Sequence, residues 1–317
     1  MSLFFYTFLF AALFLETDLY AKSSLAPARP LVIYVHEIIY SAEKERLEKN
    51  CEFPFMLKPF SGAGLLSRIL IEGNKSKADV VLGLEGEQAF NQKVALLAKP
   101  LPRFLFDKLS LPFKWDKNRF LPLSYAYLAF LSKGKILTAV PNNKRDFLNS
   151  LPSKSLVMPD PRTSMVGRGG LSWIEEEGYE TLHKKVLTYP KGWSGACALF
   201  QRGRVPVMLS YTTSVLYHHS QKDYEVNALI FQETPHPVQV MTAFMLKKKK
   251  EHPHAVEFLT ILLSPEMQKG AQERYSYPVT SIDIPPEYEA LRPPKAFLLR
   301  PLSPESLKAW VRAGYKK

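Results

Sequence analysis

Apolar runs of strand length alternate with amphipathic stretches from residue 31 onward. "LVIYVHE" (31–37) predicts a strand, and "SAEKERLEKN" (41–50), rich in charge and helix formers, predicts a helix. "FPFMLKPF" (53–60) predicts a second strand. "GAGLLSRILIEGNKS" (62–76) opens on small residues, continues as an amphipathic helix and stops at Gly73-Asn74. "ADVVLGLE" (78–85), apolar through its middle, is a third strand. This β-α-β-α-β alternation predicts an α/β layer with a largely parallel sheet.

Loops rich in Pro and aromatic residues follow at 100–122, and "LPLSYAYLAFLSKGK" (121–135) then predicts a long alternating strand. "SLVMPDPRTS" (155–164) is a short strand entering a polar turn, and "MVGRGGLSWIEEEG" starts a helix. Two more helical stretches break at Pro190-Lys191-Gly192. "VPVMLSY" returns as a strand, "VQVMTAFML" (238–246) is another, and "HAVEFLTILLSPEMQKGAQE" (254–273) predicts one amphipathic helix. "SPESLKAWVRAGYKK" (303–317) predicts a closing helix with Ser303 as N-cap.

No internal repeat, low-complexity block or flexible linker divides the chain. Two α/β sets joined by long strands fit two lobes crossed more than once by the backbone. The expected division is a discontinuous first lobe (30–125 with 236–274), a second lobe (126–235) and a C-terminal segment (275–317). A cleft between such lobes is where a small ligand sits.

The N-terminus changes the picture of compartment. Residues 3–15 are almost wholly apolar, short of the ~20 needed to span a bilayer, and "LYA" precedes Lys22. This predicts a secretory signal at 1–21, cleaved near Ala21, and an exported protein. An uncleaved anchor or a buried first helix is the competing reading, because no Lys or Arg precedes the apolar run. The formal net charge is +12, and cleavage removes Glu16 and Asp18 but no basic residue, so the balance becomes more basic still. Such a charge favours anionic partners. No nucleic-acid-binding motif accompanies it, and "KKKK" (247–250) reads as a solvated turn. With 46% hydrophobic residues the chain is not a disordered one. Two cysteines, Cys51 and Cys197, exclude a Cys-rich metal site and leave one disulfide open.

Catalytic patterns are missing. No G-x-S-x-G occurs, Ser194 in "GWSGA" being the nearest approach, and there is no Walker A, no G-x-G-x-x-G after a strand and no H-E-x-x-H. "HE" (36–37) and "HH" (218–219) are weak metal signals, since such pairs are common on surfaces. What remains is a ligand-binding composition. Rings and hydroxyls gather at strand ends and turns, most densely in "VMLSYTTSVLYHH" (207–219), a strand that ends in a burst of polar groups. Flat faces suit a planar, cationic ring, and turn amides at a helix start suit phosphate or carboxylate. For any single aromatic, core packing is the blander alternative; the reading rests on their joint placement.

"KSKADVVLGLE", "PDPRTSMVGRGGLSWI", "KGWSGACALF", "LSYTTSVLYH" and "YSYPV" stand in the same order and at similar separations as in the periplasmic thiamine-binding proteins of ABC importers, which the chain resembles over residues 30–280. The resemblance implies an α/β, type II-like periplasmic-binding-protein fold, with two lobes closing on a ligand. It implies that Trp193 stacks on thiamine, that Tyr211 and Tyr217 line the pocket, and that Tyr275 stands where the family usually has tryptophan. His36 stands for the family's tyrosine, Glu37 for its aspartate, and Ser61-Gly62 for Asp-Gly near the ligand's phosphate end. Arg162, Thr163 and Ser164 match a turn able to hold phosphate oxygens. Loss of the aspartate at position 61 favours a phosphorylated ligand, and Glu37 is the expected acid beside the cation.

The expected function is therefore a monomeric, non-enzymatic receptor for thiamine or its mono- and diphosphate, serving the permease of an ABC importer, with no cofactor and no nucleic acid. The alternative is a ferric-iron or other metal receptor using His36, Glu37, Tyr211 and Tyr217, a sensible oxygen and nitrogen set for a hard cation that leaves Trp193 without a role. An enzyme acting on thiamine would need Cys197, which reads better as a small core residue.

Overall fold

The computed structural model describes residues 29–134 and 141–314, so the expected signal segment and Ala21 lie outside the described residues. The first part of the chain runs β1 (Leu31–His36), α1 (Glu37–Asn50), β2 (Phe55–Phe60), α2 (Gly62–Glu72), β3 (Val80–Glu85), α3 (Gln92–Leu97), α4 (Arg103–Phe106) and the long β4 (Leu121–Lys133). It continues through α5 (Lys144–Ser150), β5 (Leu156–Val157), α6 (Met165–Ile174), α7 (Tyr179–Lys185), β6 (Val186–Thr188), α8 (Trp193–Gln201), β7 (Val207–Tyr211), α9 (Ser214–Ser220) and β8 (Val226–Leu229). It closes with β9 (His236–Met245), α10 (Ala255–Leu262), α11 (Pro265–Glu273), β10 (Tyr277–Pro278), α12 (Pro286–Glu289), β11 (Ala296–Leu298) and α13 (Pro304–Arg312).

The strands lie in the order β2-β1-β3-β9-β4-β7-β5-β6, with β8 and β10 also pairing β4 and β11 pairing β9. The outer strands are parallel, β2-β1-β3 on one side and β7-β5-β6 on the other. Both sets turn antiparallel where they meet β9 and β4. Strand β4 changes neighbours along its length: Leu121–Tyr127 pair with β9, whereas Leu128–Ser132 pair with β7. The sequence predicts alternation, yet the strand is buried on both faces as far as Ser132, because cores pack against both sides of the sheet.

Each set of strands carries a core on both faces because successive side chains alternate. Leu31, Ile33 and Val35 of β1 join Phe258 and Leu259 of α10 in one core, while Tyr34 joins Leu65 and Ile69 of α2 in the other. Beyond the β4 crossover, Leu128 and Phe130 pack with Trp173 and Trp310, and Leu131 packs with Phe200 and Met208 on the opposite face. Cys51 and Cys197 are free, buried thiols in two different cores, so the disulfide left open by the sequence is not formed.

Three local expectations need correction. The first helix starts at Glu37, directly after β1, because His36 Nδ1 accepts the Ile38 N–H and caps it. The stretch 254–273 forms two helices, because Ser264 caps a new start with Pro265 in its first turn, where the ring's missing N–H costs nothing. In "SYTTSVLY" β7 ends at Tyr211 and Thr212-Thr213 turn, as expected, but Tyr217 lies on a helix, α9, that follows at once.

Candidate functional site

The carboxyl ends of β1 and β7, the starts of α1, α2, α6 and α8, helix α9 and the turn after α11 supply the expected site residues; carboxyl ends of strands are where α/β sheets bind ligands. His36 ends β1, buried, and faces the start of α2. A methyl group placed on Gly62 would stand 2.9 Å from His36 Nε2 and 3.2 Å from Glu85 Oε1. Only glycine leaves these groups undisturbed. Ser61 is the N-cap of α2, its Oγ accepting the Gly64 N–H at 3.3 Å. Glu37 is exposed in the first turn of α1. Burial pushes the His36 imidazole below its ordinary value, and the Glu37 charge acts the other way.

An arc of rings forms the next part. Trp193 lies edge-to-face with Tyr217 at 5.9 Å between centroids, and Tyr217 with Tyr275 at 5.9 Å. The indole is held from behind: Trp193 Nε1 donates to Ser210 Oγ at 2.7 Å, and the fully buried Ser210 donates to Ser214 Oγ at 2.8 Å. Open space adjoins Gly192, just ahead of the indole. Tyr275 has φ +57°, a left-handed conformation costing a non-glycine residue about 1 kcal/mol. The Thr213 hydroxyl donates to its carbonyl at 2.5 Å, and the Tyr275 hydroxyl donates to Ser220 Oγ at 3.1 Å. Tyr211, one residue beyond Ser210, directs its hydroxyl to Gln239 Oε1 at 2.6 Å.

The turn at 160–164 is organised from within. Asp160, buried, accepts the Arg162 backbone N–H at 2.8 Å, an Asx turn, and its carboxylate takes the Arg162 guanidinium at 2.5–3.1 Å. That guanidinium also lies 6.0 Å from the Trp310 ring of α13. Thr163 Oγ1 donates to the Lys191 carbonyl at 2.7 Å. Ser164 caps α6, accepting the Gly167 N–H at 3.4 Å. Arg168 ties the turn from α6, donating to the carbonyls of Pro161 at 3.0 Å and Arg162 at 3.3 Å. Of the three residues expected here, Ser164 stands at the helix start while Arg162 is engaged by Asp160.

Sequence reasoning passed over Glu85, Glu87, Arg168 and Gln239. Glu85 ends β3 and Glu87 lies in the 3-10 turn that follows; they are only 8% and 5% exposed. Burial raises the Glu85 carboxyl to about 7 and the Glu87 carboxyl to about 8, with the Glu85 charge adding to the second and Arg168 opposing both. Gln239 of β9 bridges the sheet to α6, its Nε2 donating to the Met165 carbonyl at 3.0 Å. The same acids, with burial foremost, push the Tyr211 phenol well above its ordinary range. A signal existed for three of them: acids at the carboxyl end of an apolar strand, and a lone Gln inside "PVQVMTAFM".

The arrangement joins flat aromatic faces, capped helix starts and desolvated carboxyls, a composition for holding a planar polar ligand. The fold is that of the two-lobed solute-binding proteins. A family pattern of bacterial extracellular solute-binding proteins matches residues 123–274. A solved periplasmic thiamin-binding protein superposes with TM-score 0.77 at 29% identity, covering 89% of this chain and 95% of that one. The thiamine-binding periplasmic protein of Escherichia coli K12 is 32% identical over 265 residues, 80% of each chain. This chain belongs to the family of thiamine-binding periplasmic proteins. A ferric-binding protein from Campylobacter jejuni has TM-score 0.75 at 16% identity over 90% of this chain and 100% of that one, a likeness of fold alone. Among the described residues no three His, Cys, Asp or Glu side chains converge as metal ligands, and no helix is long and apolar enough to cross a membrane.

Proposed function

We propose that this protein is a periplasmic receptor for thiamine and its phosphates that hands its ligand to the permease of an ABC importer. It acts by binding and not by catalysis, as its family does. The observation that carries the reading is the Trp193–Tyr217–Tyr275 arc, set at the carboxyl ends of the strands in a chain related to thiamine-binding proteins. Tyr211 lines the same region, and His36 with Ser61 and Gly62 closes it from the β1 side. The iron alternative gains nothing from the geometry: His36 Nδ1 caps α1, Tyr211 donates to Gln239, and Glu37 is exposed.

The two lobes are 30–125 with 236–274 and 126–235, closing on the ligand through β4 and β9; of the C-terminal segment 275–317, Tyr277 and Tyr288 pack in one core and Trp310 in another. The protein works as an exported monomer, its signal removed near Ala21. A phosphate on the ligand has two helix starts to choose from, and these differ. That of α2 already faces the Glu85 carboxyl, whereas that of α6 has Arg168 in its first turn. The α6 start, with Ser164, is the better phosphate site. Mass spectrometry of small molecules released from purified protein, with calorimetric titration of thiamine, tests the reading. Thiamine or a phosphate of it is expected among the released molecules, with saturable binding at one site; a protein that releases none and binds none contradicts it.

A further inference from the structure

We propose that Glu85 and Glu87 are the specificity-determining acids of this receptor: their carboxyls, at the carboxyl end of β3, take the positive charge of the ligand's ring. The inference rests on the thiamine reading above and names the groups that make the site select a cation. Thiamine carries a permanent positive charge, and a protein with formal net charge +12 repels it at long range. A local acid must offset that repulsion. Glu37 is exposed, so water and salt screen it. Glu85 and Glu87 are more than nine-tenths buried, where a charge acts several-fold more strongly.

Their surroundings point to a ligand and not to a structural ion pair. Among the described residues no salt bridge reaches either carboxyl. The Gln239 amide approaches Glu87; among the described residues Glu85 takes a hydrogen bond from its own backbone N–H but none from a side chain, and its Oε1 lies at the start of α2, beside His36 Nε2. A buried carboxylate with so few donors is costly unless a charge arrives to meet it. The charged and titratable groups facing the pair come from separate elements: Arg168 from α6, Tyr211 from β7 and His36 from β1. Tyr211 feels the charge of both acids and packs against the same core as Trp193 of the ring arc. On this proposal the ligand's rings lie on the arc, with the positive charge turned towards the two carboxyls. Three acid or imidazole groups do not converge as metal ligands here, which leaves an organic cation as the fitting occupant.

The consequence is coupling between binding and protons. Both carboxyls hold protons near neutrality because burial disfavours their charge, and an arriving cation reverses that preference. Binding then expels protons, and affinity rises with pH.

Calorimetric titration of the purified protein with thiamine tests this at about pH 6 and about pH 9, in buffers of differing ionisation enthalpy. Wild type, Glu85→Gln and Glu87→Gln are compared, with thermal melts to confirm folding. Wild type is expected to bind at least about tenfold more tightly at the higher pH and to release protons near neutrality. Each Gln variant is expected to lose roughly ten- to a hundredfold in affinity at high pH and to flatten the profile, while melting no lower than wild type. Thiamine binding that is strong, independent of pH, free of proton release and unchanged in both variants overturns the inference and leaves the receptor reading intact. A wild type that binds no thiamine at either pH overturns the reading itself, and this inference with it.

Discussion

Trp193 offers the sharpest test of the ring arc. Its indole is half-buried, held by the 2.7 Å bond to Ser210 and set edge-on to Tyr217, and the preceding Gly192 has no neighbour within 4 Å of a Cβ placed on it. Removing a ring that stacks on a flat heterocycle costs about 1–3 kcal/mol, roughly a five- to 150-fold loss in Kd. Trp193→Ala is expected to fall in that range for thiamine. Trp193→Phe keeps a ring but loses the Nε1–H. Ser210 retains its own donation to Ser214, so this variant is expected to lose no more than about tenfold. The contrast separates stacking from the positioning of β7. Calorimetric titration of thiamine into wild type and both variants gives the affinities, and thermal melts show that each remains folded. Equal affinity in all three, with the fold intact, refutes the stacking argument. An equal large loss in both variants refutes it too, because the hydrogen bond and not the ring face would then control the site.

Ser164→Ala is expected to weaken thiamine monophosphate by a fewfold to tenfold while leaving free thiamine nearly unchanged, since Ser164 stands at the α6 start; parallel calorimetric titrations of the two ligands check it. Gly167→Ala would bring a methyl group within 2.2 Å of the Pro159 carbonyl oxygen, a backbone atom that cannot swing aside. It is expected to cost about 3 kcal/mol or more of stability, read as a lower urea midpoint. His236 is fully buried, accepts the Phe231 N–H at 2.9 Å and lies 2.8 Å from the Leu128 carbonyl; burial lowers its imidazole from 6.5 to about 4. The unfolded chain takes up the proton first, so stability is full above about pH 6.5 and is lost as pH falls towards 4, by roughly 2–3 kcal/mol. His236→Asn should flatten that part of the pH–stability curve relative to wild type in urea titrations.

Much of this protein is determined by its sequence alone. The α/β alternation follows from apolar periodicity, and helix starts at Ser61, Ser164 and Ser303 follow from N-cap chemistry, because both are local; the start at Ser264 is hidden by apolar periodicity that runs through it. The aromatic members of the arc stand out in short motifs, and even the engagement of Arg162 was legible, since Asp160 lies two residues away in an Asx-turn pattern. Only the tertiary structure decided which distant groups meet. Tyr275 acquires its place from Thr213, 62 positions earlier, and its left-handed backbone cannot be read from "RYSYP". Glu85 and Glu87 resemble ordinary surface acids in "GLEGEQ" until β7, β9 and α6 cover them with Tyr211, Gln239 and Arg168. Composition and spacing report how many charges a chain carries. Whether a carboxyl is hydrated and inert or desolvated and able to select a cation depends on the polarity of what packs against it, and those neighbours come from remote parts of the chain.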